Sequence, residues 1–112
     1  MPSTIDYPAG ELLLVNFPFT SGTQFKARPA LALLDTGDAD IVLARITSQA
    51  VTTRYDVSLT NWQQAGLLTP CSVRLHKVVT SAKFRVIRVL GRLEPGDRQK
   101  VSAVLQQLFG AW

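Results

Sequence analysis

"PALALLDTGDADIVLARI", residues 29–46, decides the fold. Two apolar runs, "PALALL" (29–34) and "IVLARI" (41–46), flank the polar turn "DTGDAD" (35–40). Runs this short, bounded by turn residues, predict buried strands, not helices. A short connection rich in Gly and Asp predicts that the two strands form a hairpin. Pro29 stands at the first strand position, where its missing N–H does least harm.

The same reading extends in both directions. Upstream, "ELLLVNF" (11–17) is another short apolar strand, followed by a loop of about eleven residues, "PFTSGTQFKAR" (18–28). Loops of that length are usually functional or mobile. Downstream, "TSQAVTTR" (47–54) is a polar loop and "YDVSL" (55–59) a short edge strand. "TNWQQAGL" (60–67) reads as a helical turn, with Thr60 or Asn61 as cap and Gly66 as stop. "CSVRLHKVV" (71–79) alternates, with Val73, Leu75 and Lys77 on one face and Arg74, His76 and Val78 on the other. "FRVIRVLGRL" (84–93) is rich in β-branched residues, and Gly91 within it marks a bulge or a close backbone approach. The period then changes. In "EPGDRQKVSAVLQQLFG" (94–110), Val101, Val104, Leu105, Leu108 and Phe109 fall on one helical stripe. Pro95 suits the first turn, Asp97 suits the positive N-terminal end, and Gly110 stops the helix. The expectation is a mainly β protein, five or six short strands in a small barrel with one C-terminal helix over an open side or edge.

Totals agree with one domain spanning 1–112, since 112 residues can bury a core without staples. No repeat or linker interrupts the chain. A single cysteine, Cys71, excludes an internal disulfide and a cysteine-built metal site, and fits a reducing cytoplasm. No apolar run approaches a membrane span, and "MPSTIDYPAGE" lacks the pattern of a signal peptide, so a soluble cytoplasmic protein is expected. Net charge is +4, from 12 cations and 8 anions. Between Arg45 and Arg92 there are eight Lys or Arg and one acid, Asp56. A basic centre with its acids moved aside suits a polyanionic partner, although it also suits a solvated surface.

Several side chains carry both a functional and a plain structural reading. Arg28 ends a polar loop just before a strand, where its guanidinium would be held still and could grip a phosphate through two parallel N–H bonds. The plain reading pairs it with an acid such as Glu11. Thr47 and Ser48 follow a strand and can donate to a phosphate oxygen or close a local turn. Arg74 and His76 are two residues apart on one strand, roughly 7 Å, a span that fits two groups flanking one phosphate. His76 is the only histidine, and its ordinary titration suits proton transfer near neutrality. It reads equally as a hydrogen-bonded, partly buried ring. Trp62, Phe19 and Phe25 could stack on bases, or pack. Cys71 reads as packing. Nucleotide-binding glycine loops, HExxH and CxxC pairs are absent.

Together these stretches resemble the PemK/MazF toxins. "GELLLVNFPFTSGTQFKARPALALL" is similar to the family's opening strand, polar loop and R-P-A-L strand. "ITSQ" (46–49) resembles its T-[TS]-Q segment, "AGLLTPCSVRLHKVVT" (65–80) its G-L-x-x-x-S-x-V-R-x-D-K stretch, and "GRLEPGD" (91–97) its helix entry. The resemblance implies a small SH3-like barrel of the PemK/MazF/CcdB type that forms a homodimer. It implies the toxin of a type II toxin–antitoxin pair, acting without metal or other cofactor as an endoribonuclease. In that chemistry the 2′-hydroxyl of single-stranded RNA attacks the adjacent phosphorus, leaving 2′,3′-cyclic phosphate and 5′-hydroxyl ends. The catalytic set it implies is Arg28, Thr47, Arg74 and His76. RNA contacts are expected from Thr20, Ser21, Gln24, Lys26, Ser48, Gln49 and Lys77. Its implied partners are a cognate antitoxin with an acidic tail and, for the toxin–antitoxin complex, operator DNA; no membrane is expected.

One position departs from the pattern. Where the family has an aspartate proposed as general base, this chain has His76. A neutral imidazole accepts a proton too, so the change is compatible with a shifted pH optimum, altered RNA preference or lost activity. The competing reading is a non-catalytic binder on the same scaffold, because CcdB poisons gyrase without cutting RNA.

Overall fold

The computed structural model describes residues 6–18 and 24–110. The strands are β1 (Glu11–Pro18), β2 (Phe25–Leu34), β3 (Asp40–Thr47), β4 (Asp56–Ser58), β5 (Ser72–Ala82) and β6 (Val86–Arg92). A 3₁₀ turn, Lys83–Arg85, precedes β6, and helix α1 (Pro95–Phe109) ends the described chain. All six strands form one antiparallel sheet in the order β4-β5-β3-β2-β1-β6. The fold is mainly β with one C-terminal helix, as expected; the ladder runs from β4 to β6 without closing on itself.

Alternation along the strands sends alternate side chains to opposite faces of the sheet. On one face, Leu12, Leu31, Ala44, Ile46, Val73 and Leu75 pack with one another and with α1 through Val101, Val104, Leu105 and Leu108. On the other, Leu13, Val15, Phe17, Ala30, Ile41 and Leu43 form a second cluster, closed by Tyr7 from the N-terminal segment. The helix stripe is therefore the sheet's cover on one face. Only its last member, Phe109, stays substantially exposed.

β2 begins four residues before Pro29, because Phe25 to Arg28 pair with Pro18 to Val15 of β1. Arg28 is thus inside a ladder, opposite Val15, and does not stand at a strand start. Residues 60–66 form successive turns, including the expected helical turn closed by the Ala65 N–H donating to the Asn61 carbonyl at 3.1 Å, but their cap comes from elsewhere. The Asp97 carboxylate of α1 accepts the Thr60 and Asn61 backbone N–H groups at 3.0 and 2.8 Å. Lys100 Nζ adds an ion pair to the same carboxylate at 3.1 Å and donates to the Ser58 carbonyl at 2.8 Å. This clamp joins α1 to the edge of the sheet and to the turns that follow it.

Gly66 and Gly91 meet backbone to backbone. Gly66 has φ +98°, and a Cβ at either glycine would strike the other segment's carbonyl, Leu90 O or Ala65 O. Gly91 also flanks a register shift between β1 and β6. Both readings of that glycine hold.

β5 carries a larger irregularity. Ala44 of β3 pairs with Val78, but the next residue, Arg45, pairs with Arg74. Leu75, His76 and Lys77 therefore lack β3 partners, and the Leu75 N–H donates instead to the Tyr55 carbonyl at 3.0 Å. The simple two-face pattern expected for residues 71–79 breaks at this bulge. Lys77 is exposed, while Val73 and Leu75 remain buried.

Candidate functional site

In an antiparallel sheet, the end of one strand lies beside the start of the next. The end of β1, the start of β2, the end of β3 and the start of β5 therefore share one end of the sheet. An open cleft of about 460 Å³ lies there. Arg28, Arg45, Arg74 and Lys77 contribute four cations to its lining, and no acid lines it. Thr47, Ser48 and Gln49 supply its polar side, and Phe17, Pro29 and Ile46 its apolar floor.

The cations are held in different ways. Arg74 Nε donates to Asp56 Oδ1 at 3.0 Å across the β4–β5 ladder. The Asp56 side chain is only 3 % exposed and also accepts the Thr53 hydroxyl at 2.6 Å and the Thr53 N–H at 3.2 Å. Burial alone would push the Asp56 carboxyl up; the Thr53 and Arg74 hydrogen bonds and the Arg74 charge outweigh it and hold it below its ordinary value. An ionised Asp56 thus fixes one edge of the Arg74 guanidinium. Arg45 lies with its guanidinium carbon 5.1 Å from the centroid of the Phe17 ring, a cation–π contact. Among the described residues, Arg28, Arg45 and Lys77 have no ion-pair partner. The plain reading of Arg28, a bridge to Glu11, is not what the chain forms; Glu11 lies opposite Arg92.

Arg45 and Arg74 are direct cross-strand neighbours. Like charges in that position destabilise a sheet. One carboxylate behind the pair balances only half of it, so the arrangement favours an anion in the cleft. Thr47 Oγ1 accepts the Gln49 N–H at 3.1 Å, which is the local turn foreseen as its structural reading. The same bond leaves its O–H free to donate into the cleft.

The structure brings Arg28, Thr47, Arg74, Ser48, Gln49 and Lys77 to one cavity. His76 is not part of that lining. The bulge turns it toward Tyr55, with ring centroids 5.6 Å apart, and its Nδ1 is buried without a partner. An unbroken period of two would keep His76 on the face of Arg74, and the three unpaired residues of β5 break that period. Gln24 and Lys26 are exposed on the approach to Arg28 without lining the cleft. Thr20 and Ser21, like Phe19, lie outside the described residues. Trp62 packs against the main core. Phe25 is 44 % exposed beneath Arg85, whose guanidinium carbon is 4.6 Å from its centroid. Cys71 is buried, which raises its thiol pKa, and donates weakly to the Thr69 carbonyl at 3.3 Å.

Sequence reasoning missed Arg45 and Asp56. Each had a visible signal. Arg45 falls in phase with Ile41 and Leu43, so a cation sits on an apolar strand face. Asp56 is the one acid in the basic central stretch. Among the described residues no group of three or more His, Cys, Asp or Glu could hold a metal ion.

Fold and cleft define a small mainly β domain with a cationic, acid-free cavity at one end of its sheet. The chain belongs to the PemK-like, MazF-like toxins of type II toxin–antitoxin systems, whose family model matches residues 9–109. A comparison with curated proteins finds no significant match. Among solved structures, the chain is similar to an endoribonuclease from a mycobacterial species in complex with its cognate antitoxin, at 20 % identity and TM-score 0.76, over 96 % of this chain and 98 % of that one. It is also similar to the MazE–MazF complex of Deinococcus radiodurans, at 23 % identity and TM-score 0.74, over 96 % and 100 % of the two chains. A third is the Mycobacterium tuberculosis toxin MazF-mt6, at 19 % identity and TM-score 0.71, over 91 % and 99 %. No helix among the described residues is long and apolar enough to cross a membrane.

Proposed function

We propose that this protein is the toxin of a type II toxin–antitoxin pair and cuts single-stranded RNA by metal-independent transesterification. The observation that carries the reading is the acid-free cleft lined by Arg28, Arg45, Arg74 and Lys77 together with Thr47. The 2′-oxygen attacks phosphorus, the P–O5′ bond breaks, the 2′-proton leaves to a base and the 5′-oxygen takes a proton. Charge accumulates on the phosphorane oxygens, where fixed cations act most strongly. Arg28, held by the β1–β2 ladder, stabilises that charge and protonates the leaving oxygen. Thr47 donates to a phosphate oxygen, and Arg74, oriented by Asp56, supplies the second guanidinium. His76 takes the 2′-proton through one bridging water, because its ring is outside the cleft lining. Ser48, Gln49 and Lys77 hold the strand, with Gln24 and Lys26 assisting from the start of β2.

The solved relatives described as complexes with an antitoxin support a matching partner here. An acidic antitoxin segment would complement the same cations, and dimerisation, operator DNA binding by the complex and a cytoplasmic site of action belong to this reading.

The test is incubation of purified protein with single-stranded RNA in EDTA, with the product ends mapped. Cyclic-phosphate and 5′-hydroxyl ends are expected, and Arg28→Ala should slow their formation roughly 10²–10³-fold. RNA left intact by wild type at high concentration would reject the nuclease and favour the non-catalytic binder. His76→Asn is a separate arm: cleavage should slow with RNA binding kept, and an unchanged cleavage rate removes His76 from the chemistry.

A further inference from the structure

β6 is an outer strand of the sheet and pairs only with β1. Its second half is covered, because the Leu90 and Gly91 backbone lies against Ala65 and Gly66. Residues 86–89 have no strand on their other side. Along that free edge Ile87 and Val89 are 53 % and 44 % exposed, and Phe84, just before it, is 81 % exposed. Ile87 stands at a register shift against β1, which leaves it out of the ladder. Arg85 lies over two rings, its guanidinium carbon 4.6 Å from the Phe25 centroid and 5.1 Å from that of Phe84. Neither Arg85 nor Arg88 has an ion-pair partner among the described residues. No acid occurs in the sequence between Asp56 and Glu94. The surface is therefore apolar, cationic and open along a backbone edge, and none of these residues lines the cleft.

We propose that this edge docks an extended, acidic and apolar segment of the antitoxin; the inference rests on the antitoxin part of the reading above and adds an anchor outside the cleft. A strand laid along residues 86–89 bonds the free N–H and C=O groups of the edge. Its apolar side chains cover Phe84, Ile87 and Val89, and its carboxylates meet Arg85 and Arg88. A second copy of this chain fits worse, because edge-to-edge pairing of two β6 strands brings their arginines together. Single-stranded RNA would satisfy the guanidiniums but offers the edge no ladder of alternating donors and acceptors. A partner segment that reaches both β6 and the cleft binds at two linked places, which raises its affinity beyond that of either.

The probe is a short capped peptide of alternating Val and Glu. Fluorescence anisotropy reads its binding, and hydrogen exchange of the protein's amides reads its position. Protection is expected on residues 84–89. A peptide with Lys in place of Glu should bind wild type about 10-fold more weakly, and Arg88→Glu should reverse that preference. Ile87→Ser, at an exposed position, should weaken the acidic peptide about 10-fold through lost apolar burial. Methylation of alternate peptide amides should weaken it as well, because it removes ladder bonds. Arg45→Ala, in the cleft, should leave the protection of β6 unchanged. Protection confined to the cleft, and lost with Arg45→Ala, overturns the proposal but keeps an acidic partner there. Peptide binding at neither place overturns both. Weaker binding of a 2′-fluoro RNA strand to Ile87→Ser, with the peptide unaffected, makes the edge a nucleic-acid surface and overturns the proposal too.

Discussion

Asp56 is set behind Arg74 as its counter-charge, and the consequences are local. The carboxylate is buried, bonded to Thr53 and Arg74, and held below its ordinary pKa, so it is ionised wherever the protein is folded near neutrality. Asp56→Asn keeps the shape and removes the charge. Single-turnover RNA cleavage should fall about 10-fold through misplacement of Arg74, with substrate binding much less affected. An unchanged rate would show that the pair serves the sheet alone. The cation it holds was legible in the sequence; the contact was not, because the partners lie 18 positions apart in the chain.

At the scale of elements, the α1 clamp and the Gly66–Gly91 contact hold the turns that follow β4. Asp97 is 1 % exposed; burial pushes its carboxyl up, but the Asn61 and Thr60 N–H groups and Lys100 more than offset this and lower it. Asp97→Ala strands those donors and should cost about 2 kcal/mol in urea unfolding at neutral pH. The sign of the pH dependence follows from the lowered value. The clamp's stability is fully present above the ordinary aspartate pKa of 3.8 and is lost as pH falls through the lower folded value, so the wild-type advantage over Asp97→Asn should shrink below pH 3.8. Gly37 and Gly66 both have positive φ, but only Gly66 faces a backbone carbonyl. Gly37→Ala should therefore cost about 1 kcal/mol from backbone strain alone, and Gly66→Ala clearly more, by the same unfolding measurement.

For the whole molecule, the antiparallel strand order concentrates four cations at one end of the sheet. Binding of a single strand there should depend steeply on salt. With all four engaged, log K against log salt should have a slope near −3, from about −0.7 per phosphate contact, and Arg45→Ala should reduce its magnitude by about 0.7. A slope unchanged by Arg45→Ala would place the strand elsewhere.

Element types were legible from local spacing. A period of two marked the strands, one 3.6-residue stripe marked α1, and the Gly/Asp turn at 35–40 marked the central hairpin. Four ordered motifs carried the family. Arg28 and Thr47 were visible as candidates because a cation or hydroxyl at an expected strand boundary is unusual enough to notice, and Arg74 because it lies two residues from the single histidine. Their meeting in one cleft depended on strand order, and the loss of His76 from it depended on three unpaired residues in β5. Cross-strand register and bulges arise from pairing between segments far apart in the chain, and no local periodicity encodes them. The chain by itself thus determined which segments are strands or helix and which family they compose. Only tertiary pairing decided which charges face one another, because that depends on where each strand stops sliding against its neighbour.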